Sequence, residues 1–362
     1  MERRYNFNAG PSALPQDVLN HAQAELLNYQ QQGMSIMEFS HRSKEYQKIH
    51  DGANELLREL LQIPDDYEVL FLQGGASLQF SMIPMNFLQT GQQGNYFLTG
   101  SWSQKALKEA QKLGDTYVGG SSEQDDFKRI PELDTLQYSN KDAYVHLTSN
   151  NTIHGTQWKE FPKHNHSPII ADMSSDILSR SLPIDQFGLI YAGAQKNLGP
   201  AGVTVVILKK DMLKNIPNQL PTMLDYRTHV DKKSLYNTPP SFAIYMLSLV
   251  LEWTKTKGGI KEIEKMNAEK TKLLYDTIDS SKGFYSGTAE TASRSSMNVT
   301  FNLPGKELEE LFLHEAAEEG FVGLKGHRSV GGCRASIYNA VPLESVRALS
   351  DFMQTFHHKH NI

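Results

Sequence analysis

From about Pro15 to Leu208 the chain alternates short apolar runs with stretches of helical periodicity, and this alternation narrows the fold more than any other feature. The runs are EVLFLQ, NYFLTG, DAYVHLTS, PIIAD, LIYAGA and VTVVIL, each the length of one strand. Strands separated by helical segments predict an α/β domain built on a mostly parallel sheet. Several runs end in Gly, Ser, Asp or Thr. Open α/β sheets bind ligands beyond the carboxyl ends of their strands, so the polar residues there are expected to converge on one edge.

After a long apolar helix near Ser241 to Lys257 the texture changes. Gly258-Gly259 predicts a break before the charged amphipathic helix GIKEIEKMNAEKTKLLYDTI. Strand SSMNVTFNL, helix KELEELFLHEAAEEG, strand CRASIYNAV and helix LESVRALSDFMQTF follow, the pattern of a smaller α+β domain. A length of 362 residues also favours two domains. The reading is a large domain over residues 16–257 and a small one over 258–362.

Charge and composition remove several classes of function. A net charge of −5 lacks the basic excess that nucleic acid or an anionic membrane surface requires. The start, MERRYNFNAGPSALP, has basic residues but no apolar run behind them, and AIYMLSLVLEW is too short to span a bilayer. A cytoplasmic protein is expected. The single cysteine, Cys333, excludes an internal disulfide framework and a multi-cysteine metal site. The three histidines of the tail FHHKHNI fit a solvated helix end better than a metal site, so no metal is expected.

Asp172 and Lys196 each close a predicted strand and lie 24 positions apart, a spacing that one βαβ-like excursion spans. A pyridoxal cofactor needs a lysine for its imine and an acid beside its ring nitrogen. Spacing alone favours a plainer pair, Asp172 capping MSSDIL and Lys196 lying at the surface. The setting AGAQKNLGPAG favours the first reading, because its small residues permit close approach of a ring. In LQGGASLQF, Gly74 and Gly75 follow a strand and Ala76 and Ser77 open a helix, whose free amides attract a phosphate. Trp102, in TGSWSQKALKEA, stands at a helix start, where its indole can stack on a ring or simply pack in the core.

These motifs, with NFNAGPSALP, SHRS, SNNTIHGTQW, YNTPPSFAIY and GHRSVGGCRASIYNAV in the same order, resemble the phosphoserine aminotransferases essentially end to end. That is a class-V family of the aspartate-aminotransferase-like fold type I. The resemblance implies a large domain with a mostly parallel, seven-stranded-type sheet flanked by helices, a smaller α+β C-terminal domain, and an N-terminal segment 1–15 packed against the small domain and active site. It implies pyridoxal 5'-phosphate as cofactor, Lys196 as the Schiff-base lysine and Asp172 as partner of the pyridine nitrogen. Trp102 is similar to the ring that stacks on the cofactor, and Thr152 to the threonine near its phenolic oxygen. Ala76, Ser77 and Gln195 match phosphate-holding positions. Asn237 and Thr238 resemble residues that reach the cofactor phosphate of a neighbouring subunit, so a homodimer with shared active sites is implied.

For the substrate, the resemblance implies that His41-Arg42 and His327-Arg328 surround a phosphate and that Arg334 clamps the α-carboxylate. Guanidinium forks suit both anions. The implied reaction passes the amino group of glutamate to 3-phosphohydroxypyruvate, giving 2-oxoglutarate and O-phospho-L-serine for serine biosynthesis, with a related phosphorylated threonine of pyridoxine synthesis as a further substrate. Ser77 departs from relatives that carry arginine there, leaving one positive charge fewer. A serine–pyruvate-type aminotransferase or a cysteine desulfurase would share Lys196 and Asp172 without needing both His-Arg pairs, and a desulfurase would need a reactive cysteine. A non-catalytic phosphate binder would rest on LQGGAS, but no GxxxxGK[ST] or GxGxxG loop is present.

Overall fold

The apolar runs become strands because β-branched and aromatic side chains pack well on both faces of a pleated sheet. The computed structural model describes residues 3–163, 166–217 and 219–360. Its central sheet holds β2 (Tyr67–Leu72), β3 (Gln93–Leu98), β4 (Asp115–Ser121), β5 (Asp142–Thr148), β8 (Ile169–Asp172), β9 (Phe187–Gly193) and β10 (Thr204–Lys209). The spatial order is β2-β10-β9-β8-β5-β3-β4. From β9 to β4 all neighbours are parallel, whereas β10 runs antiparallel to both β9 and β2. Only residues 194–203 join β9 to β10, too few for a parallel crossover, so the chain turns back on itself.

Alternation along β10 shows how the sheet is buried. Val205 and Ile207 join a core with Ile49, Leu57, Ile244 and Leu247, from helices α2 (Lys44–Leu61) and α6 (Ser241–Thr256). Val206 and Leu208 join the opposite core with Phe80, Ile83 and Leu107, from α3 (Gly75–Phe87) and α4 (Ser101–Ala110). Each such side chain contributes about 1.5–3 kcal/mol on burial, so the sheet is held between the two layers.

Two features differ from the sequence reading. β4 was not among the predicted strands: DTYVGGS is an edge strand with Tyr117 and Val118 exposed, and it carries too little apolar signal. The crossover from β8 to β9 contains no α-helix, only turns and the short 3-10 segment Ile184–Gln186. Ser and Asp in MSSDILSRSLPIDQ make local hydrogen bonds that compete with a helix, and Pro183 removes a helix donor.

A separate core gathers α7 (Ile260–Ser280), α8 (Lys306–Glu318) and α9 (Leu343–His360) over the sheet of β11 (Ser286–Gly287), β12 (Asn298–Asn302) and β14 (Cys333–Ser336). Gly258 and Gly259, both at positive φ, separate α6 from α7. The start of the chain belongs to this core: β1 (Tyr5–Asn6) pairs with β13 (Phe321–Val322), and Phe7 and Ala13 are buried in it. A hairpin of β6 (Asn150–Asn151) and β7 (Thr156–Gln157) follows β5, while α1 (Gln16–Glu25) and α5 (Tyr226–Asp231) complete the helices among the described residues. None of these helices is long and apolar enough to cross a membrane. His357, His358 and His360 lie on the last turns of α9, with His360 and Lys359 against Glu315; the final two residues of FHHKHNI, like the first two of the N-terminal segment, lie outside the described residues.

Candidate active site

The ends of β8 and β9 bring Asp172 and Lys196 to the same edge of the sheet. Asp172 is buried, and Ser174 donates to its Oδ1 from both the backbone N–H (2.9 Å) and Oγ (2.6 Å). The N–H of Gly193 in turn donates to Ser174 Oγ at 3.0 Å, so a serine ties the two strand ends together. Among the described residues Oδ2 has no partner. Burial pushes the Asp172 carboxyl up, and Ser174 and the charge of Lys196 pull it partly back.

Lys196 follows β9 in the turn AQKNLGPAG, partly buried. Its Nζ donates to Thr152 Oγ1 at 2.6 Å and lies 5.4 Å from the centre of the Trp102 ring. Burial lowers its amine from the usual 10.5 to about 8, with Asp172 opposing and Arg334 adding to the fall. Gly10, in the N-terminal segment, packs against its stem: a Cβ there would sit 3.4 Å from Lys196 Cγ. Ser12 fixes the same turn, its N–H donating to Gln195 O at 3.0 Å and its hydroxyl to Lys196 O.

Two helix starts face this edge. α3 is capped by Gly74, at φ +88, with no side chain satisfying its first amides. A Cβ on Gly193 would lie 3.6 Å from the N of Ala76 and 3.9 Å from Ser174 Oγ, so the bare glycine leaves a cradle in front of those amides. Ser77 is exposed beside it. α4 starts at Ser101 and carries Trp102, whose indole Nε1 is buried without a partner among the described residues.

Cationic side chains gather beside Thr152 and Lys196. Arg334, on β14, donates from Nη1 to Thr152 O at 3.2 Å, while its buried Nε has no partner among the described residues. Burial lowers the guanidinium. His327 holds Ser329 Oγ at 2.7 Å and is pushed down by burial, then by Arg334, Arg328 and Lys105. Burial drives His154 down to about 4, with His327 adding to the fall. Mutual repulsion among these groups means that an anion placed between them would relieve it.

The predicted residues do not all meet within one chain. His41 buries an unpartnered Nε2, and Arg42 is exposed with no side-chain partner among the described residues. Asn237 and Thr238 lie by the end of β2, where Gln73 Nε2 donates to Thr238 O at 3.2 Å. Cys333 is buried with its thiol pushed up by burial, and so is no nucleophile. Ser174, His154 and Lys105 were missed by sequence reasoning; the last follows Trp102 by one helical turn, with its Nζ 4.2 Å from that ring, a spacing visible in SWSQK.

A partly neutral amine, a buried carboxylate, an indole and uncapped amides suit an aldehyde bound through a ring and a phosphate. The profile of the class-V aminotransferases matches residues 4–349. A curated phosphoserine aminotransferase of Geobacillus kaustophilus is 64% identical, covering 98% of this chain and 99% of the relative. A solved structure describing radiation damage of the Schiff base in phosphoserine aminotransferase superposes with a TM-score of 0.97 at 61% identity, over 99% of this chain and 100% of that one. A second, pyridoxal-phosphate-bound phosphoserine aminotransferase from Trichomonas vaginalis, has a TM-score of 0.91 at 39% identity, over 97% of this chain and 100% of that one. The chain thus belongs to the class-V aminotransferase family, whose enzymes work with pyridoxal phosphate.

Proposed function

We propose that this enzyme transfers an amino group reversibly between glutamate and 3-phosphohydroxypyruvate, forming O-phospho-L-serine and 2-oxoglutarate for serine synthesis. The observation that carries the reading is the cationic rim. Arg334, Arg328 and Lys105 all press on His327, and Arg334 reaches Lys196 as well. A substrate with both a carboxylate and a phosphate supplies the two anions that such a rim lacks. The relatives named above point to the same substrate. 4-Phosphohydroxy-L-threonine carries the same two anions and is a second substrate on this reading.

The residues present fit the cofactor. Its phosphate would be held by the amides of Ala76 and Ser77, in the cradle before Gly193, and by Gln195. Trp102 would stack on its ring, and the buried Asp172 would pair with the ring nitrogen. When bound, the cofactor supplies an electron sink for the pair left at the substrate Cα. The protein does the rest. Arg334 orients the α-carboxylate through its fork. His41, Arg42, His327 and Arg328 receive the substrate phosphate. Lys196 Nζ takes the proton from Cα: an amine near 8 is roughly a tenth neutral at pH 7, against about 0.03% for an ordinary lysine. Thr152 holds that nitrogen in place.

We further assign a homodimer in which Asn237 and Thr238 complete the partner's site, a domain division at about residue 258, and a cytoplasmic location. Steady-state rates test the substrate. Arg328→Ala and Arg42→Ala should each lower kcat/KM for phosphoserine by about 10-fold or more, one charged hydrogen bond being worth roughly 1.5–3 kcal/mol, while leaving serine and alanine little changed. Equal losses on phosphorylated and unphosphorylated substrates would place the phosphate elsewhere.

A further inference from the structure

Three asparagines from three parts of the chain close on one buried turn. The segment leaving β8 passes through Ile177, Leu178 and Ser179, all buried, with Leu178 at φ +61. A leucine keeps that left-handed backbone only where its surroundings over-determine it. The three carbonyls are taken up in order: Asn197 Nδ2 donates to Ile177 O at 3.1 Å, Asn339 Nδ2 to Leu178 O at 3.0 Å and Asn267 Nδ2 to Ser179 O at 3.1 Å. The asparagines, all buried, also hold one another. Asn267 Nδ2 donates to Asn339 Oδ1 at 2.8 Å, and the N–H of Asn339 donates to Asn197 Oδ1 at 3.0 Å. Asn197 directly follows Lys196, and Asn339 lies in the turn after β14, the strand of Arg334. Asn267 lies on α7, which fastens that same turn through Lys270, whose Nζ donates to the carbonyls of Ile337 (3.0 Å), Tyr338 (2.8 Å) and Val341 (3.1 Å). Glu264 accepts from the N–H of Ser181 at 3.2 Å, and the spacing 264, 267, 270 sets all three side chains on one face of α7.

We propose that Asn339 is a positioning residue for the substrate's α-carboxylate: it ties the strand that carries Arg334 to the turn that carries Lys196, and so fixes the guanidinium fork relative to the amine. The inference rests on Arg334 meeting that carboxylate. Fork and carboxylate pair through two parallel bonds, which tolerate little displacement. Arg334 reaches Thr152 O through Nη1 at 3.2 Å, and its Nε is unpartnered among the described residues, so its direction depends on where its strand is anchored. Buried amides bonded to one another and to three successive carbonyls leave few alternative arrangements for that anchor. Without the Asn339 side chain, Leu178 O loses its donor and α7 loses its link to the turn through Asn267. The Arg334 strand can then shift against Lys196.

The test compares two ligands that share an amine and a phosphate and differ by the α-carboxylate, phosphoserine and O-phosphoethanolamine. In the cofactor-loaded enzyme, single turnover gives the half-saturation constant of the first, and competition gives the inhibition constant of the second. Phosphate binding is common to both, so the ratio of the two constants reports carboxylate recognition. Asn339→Ala should lower the preference for phosphoserine about 5-fold, with the rate at saturation changed less than about 2-fold. In an Arg334→Ala background the same substitution should lower it no further. A side chain that merely stabilises the fold would lower the melting temperature or weaken both ligands together; an unmoved preference in folded Asn339→Ala overturns the proposal, as does a full further loss without Arg334. Should Asn339→Ala not fold, Asn267→Ala opens the clasp from α7 and should lower the preference in the same direction by less; no change there overturns the proposal equally. Arg334→Ala keeps the two readings apart. A preference that survives in Arg334→Ala sinks the carboxylate role of Arg334 and the positioning role with it, whereas one lost there and intact in Asn339→Ala removes the positioning role alone.

Discussion

Lys196 lies under two opposed influences of its surroundings. Burial against Trp102 and Gly10 favours the neutral amine, and Asp172 favours the charged one, leaving the group near 8. The sign gives a direct expectation. Because the folded value lies below that of a free lysine, neutral amine appears at a lower pH than it does for a surface lysine. In the cofactor-free chain Lys196 should therefore label with a midpoint near pH 8, while surface lysines remain almost unreactive there; a midpoint in the ordinary lysine range would contradict the burial argument. Lys196→Ala should cost turnover about 100-fold or more, read in a single-turnover assay with phosphoserine. Lys196 and Asp172 were legible from sequence because each stands at the end of an apolar run, where topology alone brings polar groups together. The Ser12 contact was not, because Ser12 is 184 positions from Lys196 and nothing local marks it.

Among the elements, the strand-to-helix turn at Gly74 and the end of β9 form the cradle together. Gly193 is the informative position. A methyl there makes only ordinary contacts, 3.6 Å from Ala76 N, so Gly193→Ala should leave the melting temperature of the cofactor-free chain nearly unchanged. The same methyl occupies the space assigned to the cofactor phosphate, so affinity for pyridoxal phosphate should fall about 10-fold or more, measured by absorbance titration. Unaltered cofactor affinity would move the phosphate away from α3. Gly74→Ala provides the contrast: its Cβ would fall 2.5 Å from Leu78 Cδ2 at φ +88, which costs about 1–3 kcal/mol of stability and should show in the melt itself. Six strands of the sheet were legible because they are buried on both faces. β4 was hidden by exposure at the sheet edge, and the β8-to-β9 crossover by a wrong general rule, since parallel neighbours need a long connection but not a helical one.

At the scale of the whole molecule, one chain contains the amine, the acid and part of the cationic rim, but it leaves other predicted groups unengaged. The Arg42 side chain is exposed without a partner among the described residues, and Asn237 and Thr238 sit by Gln73 near the end of β2. Sites completed across a two-fold axis leave such residues waiting in each protomer. If Asn237 serves the partner's cofactor phosphate, an Asn237→Ala chain has its own lysine but depends on the other chain for its phosphate contact. A Lys196→Ala chain has the contact to give but no amine. Mixing the two after mild dissociation should create hybrid dimers with one intact site and one doubly defective site. Random pairing then recovers about a quarter of wild-type activity from two weakly active parents, and dilution below the dimer dissociation constant removes it. A mixture no more active than the average of its parents, or a fully active monomer on size-exclusion chromatography, would confine the active site to one chain.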